Sequence, residues 1–255
     1  MSVYNNQKTL SLTITSVLKQ TSEEFEFIIV DDCSSDNSIE IIQEYQKKDN
    51  RIVLITNESN IGLPKSLNKA IKVSKYNYIA RIDGDDICMP DRFEKQMAYI
   101  KANPHIDILG SGAILIDQQG IDVGKVFMPE SDEEIKKAIR YKNPMIHPSI
   151  VIKKSVLEEL RGYDEKLRKA QDLDLWSRAD NSGKIFYNMQ EYLIKYRIDL
   201  DKSYSTIFKG FKVSFLKAFR YRSVKGIVWS ILELTRYLLV KIKLYTPKSM
   251  RKNEK

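Results

Sequence analysis

The sequence predicts an α/β protein with a mostly parallel sheet and helices on both faces, and two observations predict it. Strand-like and helix-like hydrophobic patterns alternate through the first part of the chain, which implies crossover connections and a parallel, doubly wound sheet. Two apolar runs of strand length, Phe25 to Val30 and Tyr78 to Ile82, each stop in a cluster of acids, Asp31-Asp32 and Asp83-Gly84-Asp85-Asp86. Ligands of open α/β sheets bind at the carboxyl ends of strands, so both clusters lie on the functional edge.

Taken in order, Leu10, Ile14, Val17 and Leu18 have helical spacing, so the first clear element is a helix preceded only by a loop. After the strand Phe25 to Val30, the Ser34-Ser35-Asp36 cluster can cap a helix carrying Ile39, Ile42 and Tyr45. Arg51 to Thr56 repeats the strand signal, Asn60-Ile61-Gly62 makes a turn, and Pro64 opens a helix through Leu67, Ala70 and Ile71. Beyond the strand Tyr78 to Ile82, Pro90 starts a helix with Phe93, Met97 and Ile100 on one face. The runs Ile106 to Leu109, Ala113 to Asp117 and Ile150 to Ile152 are shorter and partly antiparallel strands, with helices around Ile135 and Val156, so the second half is α+β in style. The expected division is 1–117 and 118–200 as two halves of one domain, followed by a tail, 201–255.

At 255 residues and 42% hydrophobic content, the chain is long enough to bury a substantial core. The net charge of +8 is unevenly spread. The tail holds 14 Lys/Arg against 3 acids, whereas the preceding 200 residues hold 28 against 31, so all of the basic excess is in the tail. That asymmetry marks a segment facing an anionic partner. Cys33 and Cys88 have no metal-type spacing and no signal peptide precedes them, which argues for a reducing, cytoplasmic compartment.

Three carboxylates at Asp83, Asp85 and Asp86 repel one another and call for a cation. Clustered hard oxygen ligands suit Mg²⁺ or Mn²⁺ shared with a substrate phosphate. An EF-hand loop does not fit, because Cys88 occupies the position where that loop needs glycine. An aspartate-nucleophile phosphatase, with Asp83 as nucleophile and Asp85 as acid/base, is the rival enzyme reading. It would need Asp83 on the first strand of its sheet, and two strand-helix units precede it. A membrane-associated binding domain with a decayed site is the non-enzyme reading.

Further motifs join the acids. Ser2-Val3-Tyr4-Asn5, Val30-Asp31-Asp32-Cys33-Ser34, Asn60-Ile61-Gly62-Leu63, Asp83-Gly84-Asp85-Asp86, His147-Pro148-Ser149, Gly162-Tyr163-Asp164-Glu165 and Gln171-Asp172-Leu173-Asp174-Leu175-Trp176 stand in one order. Together, over about Met1 to Arg197, they resemble a family 2 glycosyltransferase of the GT-A fold, of the bacterial polysaccharide type. The resemblance implies a Rossmann-like sheet and transfer of a sugar from a nucleotide-sugar donor, a UDP-sugar by expectation, to a glycan or lipid-linked acceptor. It assigns Tyr4 and Asp31 or Asp32 to the nucleobase and ribose, with Asp32 preferred for the base edge; helix capping is the other use of that acid pair. Lys65, at a helix start, would meet the diphosphate. Asp83 or Asp85 would hold the ribose, and Asp85 or Asp86 the Mn²⁺ or Mg²⁺.

Asp172 matches the family's catalytic aspartate. It would take the acceptor hydroxyl's proton while that oxygen attacks the anomeric carbon opposite the leaving group, inverting the configuration. Trp176, four residues on, shares its helix face and would line the same pocket or serve the core. The sequence departs from the family pattern at Gln171 in place of Glu, and at Cys33 and Arg161 in place of Gly. His147 reads as an acceptor-pocket or structural residue before a metal ligand.

In the tail, Phe208, Phe211, Phe215 and Phe219 form one helical stripe flanked by Lys209, Lys212, Lys217, Arg220 and Arg222. This fits a helix lying on an anionic membrane surface, peripheral on the inner face of the cell membrane. A stripe of aromatics is the wrong arrangement for nucleic acid. Gly226 to Val240 carries Glu233 and Arg236 and is too short to span a bilayer. A sheet of this kind also places a first strand between Phe25 to Val30 and Tyr78 to Ile82. Because the chain opens at Ser2-Val3-Tyr4-Asn5, that strand is expected to be missing, with Met1 an internal methionine and an open or substituted slot in the sheet.

Overall fold

The computed structural model describes residues 1–199 and, in the tail, Ile227, Val228 and Ile231, which are helical. The aromatic stripe and nearly all of the basic tail therefore lie outside the described residues. The first half runs β1 (Ser2–Val3), α1 (Leu10–Leu18), β2 (Phe27–Asp31), α2 (Ser38–Gln46), β3 (Ile52–Thr56), α3 (Leu63–Val73) and β4 (Tyr78–Ala80). Then follow β5 (Ile87–Cys88), α4 (Arg92–Ala102), β6 (Ile108–Ile116), β7 (Asp122–Val126), α5 (Asp132–Ile139), a 3-10 turn at His147–Ser149, β8 (Val151–Lys153), α6 (Lys154–Glu159), α7 (Gln171–Asn181) and β9 (Phe186–Arg197).

β1, β2 and β3 form a parallel three-stranded sheet, and the remaining strands form a mixed sheet in the order β4-β8-β6-β9-β5, with β7 on β6. The expected first strand is thus shortened rather than absent. Ser2 pairs with Val30 and Val3 with Asp31, and the Met1 carbonyl accepts from Val30 N at 3.0 Å. Two residues do not reach β4, so the strands lie in two sheets with an open slot between β2 and β4, as expected. β4 turns its other edge to β8 in antiparallel register, Ile79 opposite Ile152. The expected halves interleave here, since β4 and β5 share this sheet with β8 and β9.

The two largest apolar clusters among the described residues hold the helices on the sheets. Leu10, Ile14 and Val17, one face of α1, pack with Phe27, Ile29 and Ile42 around β2. Ile135, Ile139, Leu175 and Trp176 pack α5 and α7 onto Ile108, Ile152 and Phe186 of the mixed sheet. α5 begins with a capping box, Ser131 Oγ accepting from Glu134 N while Glu134 Oε2 accepts from Ser131 N. Both cysteines are free, Cys33 exposed and Cys88 buried.

Candidate active site

The acid turn follows β4 and is gripped from three sides. Thr9 and Thr13, at the start of α1, donate to the carbonyls of Gly84 (3.1 Å) and Asp86 (2.7 Å). At the end of β9, Arg197 donates through Nε to the Asp85 carbonyl at 2.9 Å and through its backbone N to Asp86 Oδ1 at 2.8 Å. Arg92, with no exposed surface, donates to the carbonyls of Arg81 and Ile150 and so clamps the end of β4 to the segment before β8. A methyl group on Gly84 would lie 3.1 Å from the Asn6 side chain, so a larger residue there requires Asn6 to shift.

The three carboxylates differ in surroundings. Burial alone would raise Asp83, but the buried Arg81 guanidinium, bonded to Asp83 Oδ1 at 2.5 Å, holds it below the ordinary carboxylate range. Burial, then the charge of Asp83, raises Asp85. Asp86 is pushed up to about 8 by burial and by Asp83. Asp86 is fully enclosed: Oδ1 is taken by Arg197 N, and Oδ2 is sealed without a partner. An ion that also holds a substrate's phosphates must be reachable, so the expectation of Asp86 as a metal ligand is corrected. It anchors the turn to β9. Asp85 is half-buried, and its raised affinity for protons is the signature of a carboxylate short of positive charge, which a divalent cation would supply. Asp83 and Asp85 would fit such an ion once a donor's phosphates completed its shell; among the described residues no group of three or more acids, histidines or cysteines is placed to hold one by itself.

The strand end of β2 supplies a second pair of acids. Asp32 is spent on structure: Oδ1 accepts from Asn57 Nδ2 (2.8 Å) and Ile61 N (2.9 Å), and Oδ2 from Gly62 N (2.8 Å). It holds the Asn60-Ile61-Gly62 turn, so the preference for Asp32 at the base edge passes to Asp31. Asp31 uses Oδ2 on Ser34 N at 3.0 Å and leaves Oδ1 buried without a partner, a free acceptor for a ring N–H. Tyr4 stands 50% exposed in the loop after β1. That loop is tied to the acids on both sides, through Asn5 to Ser34 and Ser35 and through Asn6 to Gly84. Lys65 is exposed in a hollow with Asn68, Lys69, Lys72 and Glu165.

α7 brings in the opposite wall. Ala170 takes a left-handed φ of 58° just before it, which sets Asp172 in the first helical turn. Asp172 Oδ2 accepts from Asn143 Nδ2, and Oδ1 accepts from Leu173 N at 2.8 Å. Burial raises its proton affinity while those two donors lower it. Trp176 is wholly buried, with its indole N–H unpartnered in the core, so of its two expected places the structure gives it the core and not the substrate pocket. Its ring instead supports His147, edge to face at 6.1 Å between centroids. His147 Nε2 meets Tyr163 Oη at 2.7 Å, and burial, with the charge of Arg81, pushes the imidazole down to about 3. It is a neutral structural residue.

The two walls converge. The proton affinity of the Tyr196 hydroxyl is raised first by burial and then by the charges of Asp83, Asp86, Asp85 and Asp172, so the acid turn and the α7 aspartate both bear on it. Arg81 in turn bears on Asp172, His147 and Tyr163. Sequence reasoning missed Arg81, Asn143, Tyr196 and Arg197; only the position of Arg81, two residues before an acid, was a signal.

An α/β sheet whose strand ends gather one acid pair, an acid turn and a helix-borne aspartate defines the GT-A class of nucleotide-dependent transferase. The profile of glycosyl transferase family 2 matches residues 1–161, and the chain belongs to that family. An uncharacterized glycosyltransferase of Methanocaldococcus jannaschii is 41% identical over 217 residues, covering 84% of this chain and 74% of that protein. The O-antigen biosynthesis glycosyltransferase WbnJ of Escherichia coli is 35% identical over 204 residues, 78% of each chain. Among solved structures, TarS 1-349 of S. aureus superposes with a TM-score of 0.67 at 19% identity, covering 96% of this chain and 74% of that one. The mannosyltransferase PcManGT of Pyrobaculum calidifontis, in complex with GDP-Man and Mn²⁺, does so with a TM-score of 0.66 at 13% identity, covering 97% and 75%. Family membership overturns the phosphatase reading of Asp83 and Asp85.

Proposed function

We propose that this glycosyltransferase moves a sugar from a UDP-sugar to a glycan or lipid-linked acceptor of a bacterial polysaccharide, with inversion and with help from a divalent ion. The match to glycosyl transferase family 2 over residues 1–161 carries the reading, and the charges of Asp172 and of the Asp83–Asp86 turn both reach Tyr196, in keeping with a base and a cation-seeking cluster that serve one site. Tyr4 stacks on the base, Asp31 Oδ1 accepts its ring N–H, and Asp83, fixed by Arg81, takes the ribose hydroxyls. Asp85 with Asp83 would hold Mn²⁺ or Mg²⁺, which supplies charge neutralisation to the departing nucleoside diphosphate. Asp172 receives the acceptor proton, and Asn143 keeps one carboxylate oxygen from turning away. The polysaccharide assignment is supported by the O-antigen relative, and the donor class by TarS, solved with UDP and with UDP-GlcNAc. The basic tail would hold the enzyme on the inner membrane face, near a lipid-linked acceptor.

Incubation with radiolabelled nucleotide sugars and Mn²⁺ tests the proposal. Release of nucleoside diphosphate with label passing to a polymeric or lipid fraction is expected. Absence of turnover with every donor, with nucleotide still bound, would leave only a binding protein.

A further inference from the structure

Two tyrosines near the mixed sheet spend their hydroxyls on protein partners, Tyr163 on His147 and Tyr187 on Glu130, whereas the Tyr196 hydroxyl has no hydrogen-bond partner among the described residues. Tyr196 stands opposite Leu115 in the parallel ladder of β9 and β6. Its ring is half-buried and packs on Ala113, Ile146 and Ile194. Two ties fix where the ring lies. The next residue, Arg197, gives its backbone N–H to Asp86 Oδ1 at 2.8 Å, so Tyr196 is one peptide away from the acid turn. On the other side, Ile146 ends the short segment that begins at Asn143, the donor to Asp172. The ring is thus bracketed by the acid turn and by the strut of the α7 aspartate, and the charges of both reach its hydroxyl.

We propose that Tyr196 is a sugar-binding residue, whose hydroxyl donates a hydrogen bond to a hydroxyl oxygen of the sugar in transit and so helps to select that sugar. It rests on the sugar-transfer reading of the site. A displacement with inversion sets the acceptor oxygen, the anomeric carbon and the leaving phosphate oxygen in line. With Asp172 at the acceptor and the acid turn at the leaving diphosphate, the transferred sugar occupies the space between them, where Tyr196 lies. Ionised carboxylates on either side can only accept hydrogen bonds, so the phenol is the uncharged donor between them. Its ring is held by Ile146 and Ile194, so little freedom is lost when the bond forms. A sugar whose hydroxyl points elsewhere leaves the phenol unpaired, and that difference is what discriminates.

Tyr196→Phe removes one oxygen and keeps the ring on Ile146. Calorimetry in Mn²⁺ with UDP, UDP-glucose, UDP-galactose and UDP-N-acetylglucosamine gives, for each sugar, the ratio of its affinity to that of UDP. In the variant, UDP affinity and Tm are expected to match the parent, while the ratio for the sugar that the parent binds best falls roughly tenfold and the three sugars become more alike. Unchanged ratios would overturn the proposal. Equal loss for UDP and for the nucleotide sugars would put the hydroxyl on the diphosphate, and a lower Tm with unchanged ratios would make it a packing residue. Either result would also overturn it. A parent that binds neither UDP nor any of the three sugars would overturn the sugar-transfer reading and this contact with it. Failure of that reading therefore shows in the parent, and failure of the sugar contact shows only in the variant.

Discussion

Asn143 donates its side-chain N–H to Asp172 Oδ2, across 29 positions of sequence, and so joins the segment after α5 to the first turn of α7. The bond does two things to a base. It fixes the carboxylate's orientation and favours its charged form, against the burial that disfavours it.

Asp172→Asn should therefore cut kcat for sugar transfer by roughly a hundred- to ten-thousandfold while leaving nucleoside diphosphate affinity near that of the parent. Asn143→Ala removes a donor that lowers Asp172's proton affinity, so the acid limb of kcat should move to higher pH. The loss would be larger at pH 6 than at pH 8. A comparable loss of nucleotide binding in Asp172→Asn, by calorimetry, would transfer the residue to the donor site.

The acid turn separates two aspartates that are adjacent in sequence. Asp85→Asn should weaken Mn²⁺ and donor binding together, and excess EDTA should abolish turnover. Asp86→Asn replaces an enclosed carboxyl with a near-isosteric amide and should leave Mn²⁺ affinity within a fewfold of the parent. Equal loss of Mn²⁺ affinity in both variants, measured by titration, would return Asp86 to the metal. Full activity in EDTA would remove the ion from the reaction.

The strand and helix alternation was legible because the hydrophobic period switches cleanly between the two at Phe25, Leu67 and Tyr78. The acid turn was legible because three carboxylates cannot share a loop idly. Arg197 was not, because its partner Asp85 is 112 positions away and nothing local distinguishes it from a solvated arginine at the end of a strand. The entry of β8 between β4 and β6 was equally hidden, since a three-residue apolar run does not state its partners or direction. Asp32 was misjudged for a related reason. A carboxylate at a strand end looks available until the returning turn at Ile61 and Gly62 is seen to occupy both of its oxygens.

His147 makes stability depend on acid. Its folded value, about 3, lies below its ordinary value near 6.5, so the unfolded chain binds the proton first. The contribution is complete above pH 6.5 and is lost as pH falls toward 3, amounting to roughly 2–3 kcal/mol between pH 6.5 and 4.5. Urea midpoints across that range should fall steeply for the parent and more gently for His147→Gln, whose side chain does not titrate. Parallel slopes would show that His147 is not the source.

Arg161 occupies the position after the C-cap of α6 with a left-handed φ of 58°, while Gly162 N reaches back to the Leu157 carbonyl at 2.7 Å. This is a helix-ending turn that glycine adopts without steric cost and arginine does not. Arg161→Gly should raise unfolding free energy by about 1 kcal/mol, offset in part by the greater freedom of glycine in the unfolded chain. A lower Tm would mean that the arginine side chain makes a compensating contact.

The last prediction concerns where the enzyme works. The tail carries a net charge of +11 and the rest of the chain −3, so attraction to an anionic surface belongs to the tail alone. Charge at a surface is felt within about a Debye length, roughly 8 Å at physiological salt, so the basic residues must lie close to lipid. Phe208, Phe211, Phe215 and Phe219 supply the apolar stripe that would bring them there. Two forces of different salt dependence then add. In vesicle flotation with phosphatidylglycerol, the full chain should bind, lose part of its binding at 0.5 M NaCl, and bind neutral phosphatidylcholine weakly. Truncation after Asp201 should abolish binding to both. Phe211→Ser with Phe215→Ser should leave only the salt-sensitive part, because the charges remain and the stripe is broken. Binding that ignores salt, or that survives truncation, would place the tail against the catalytic domain and move membrane attachment elsewhere.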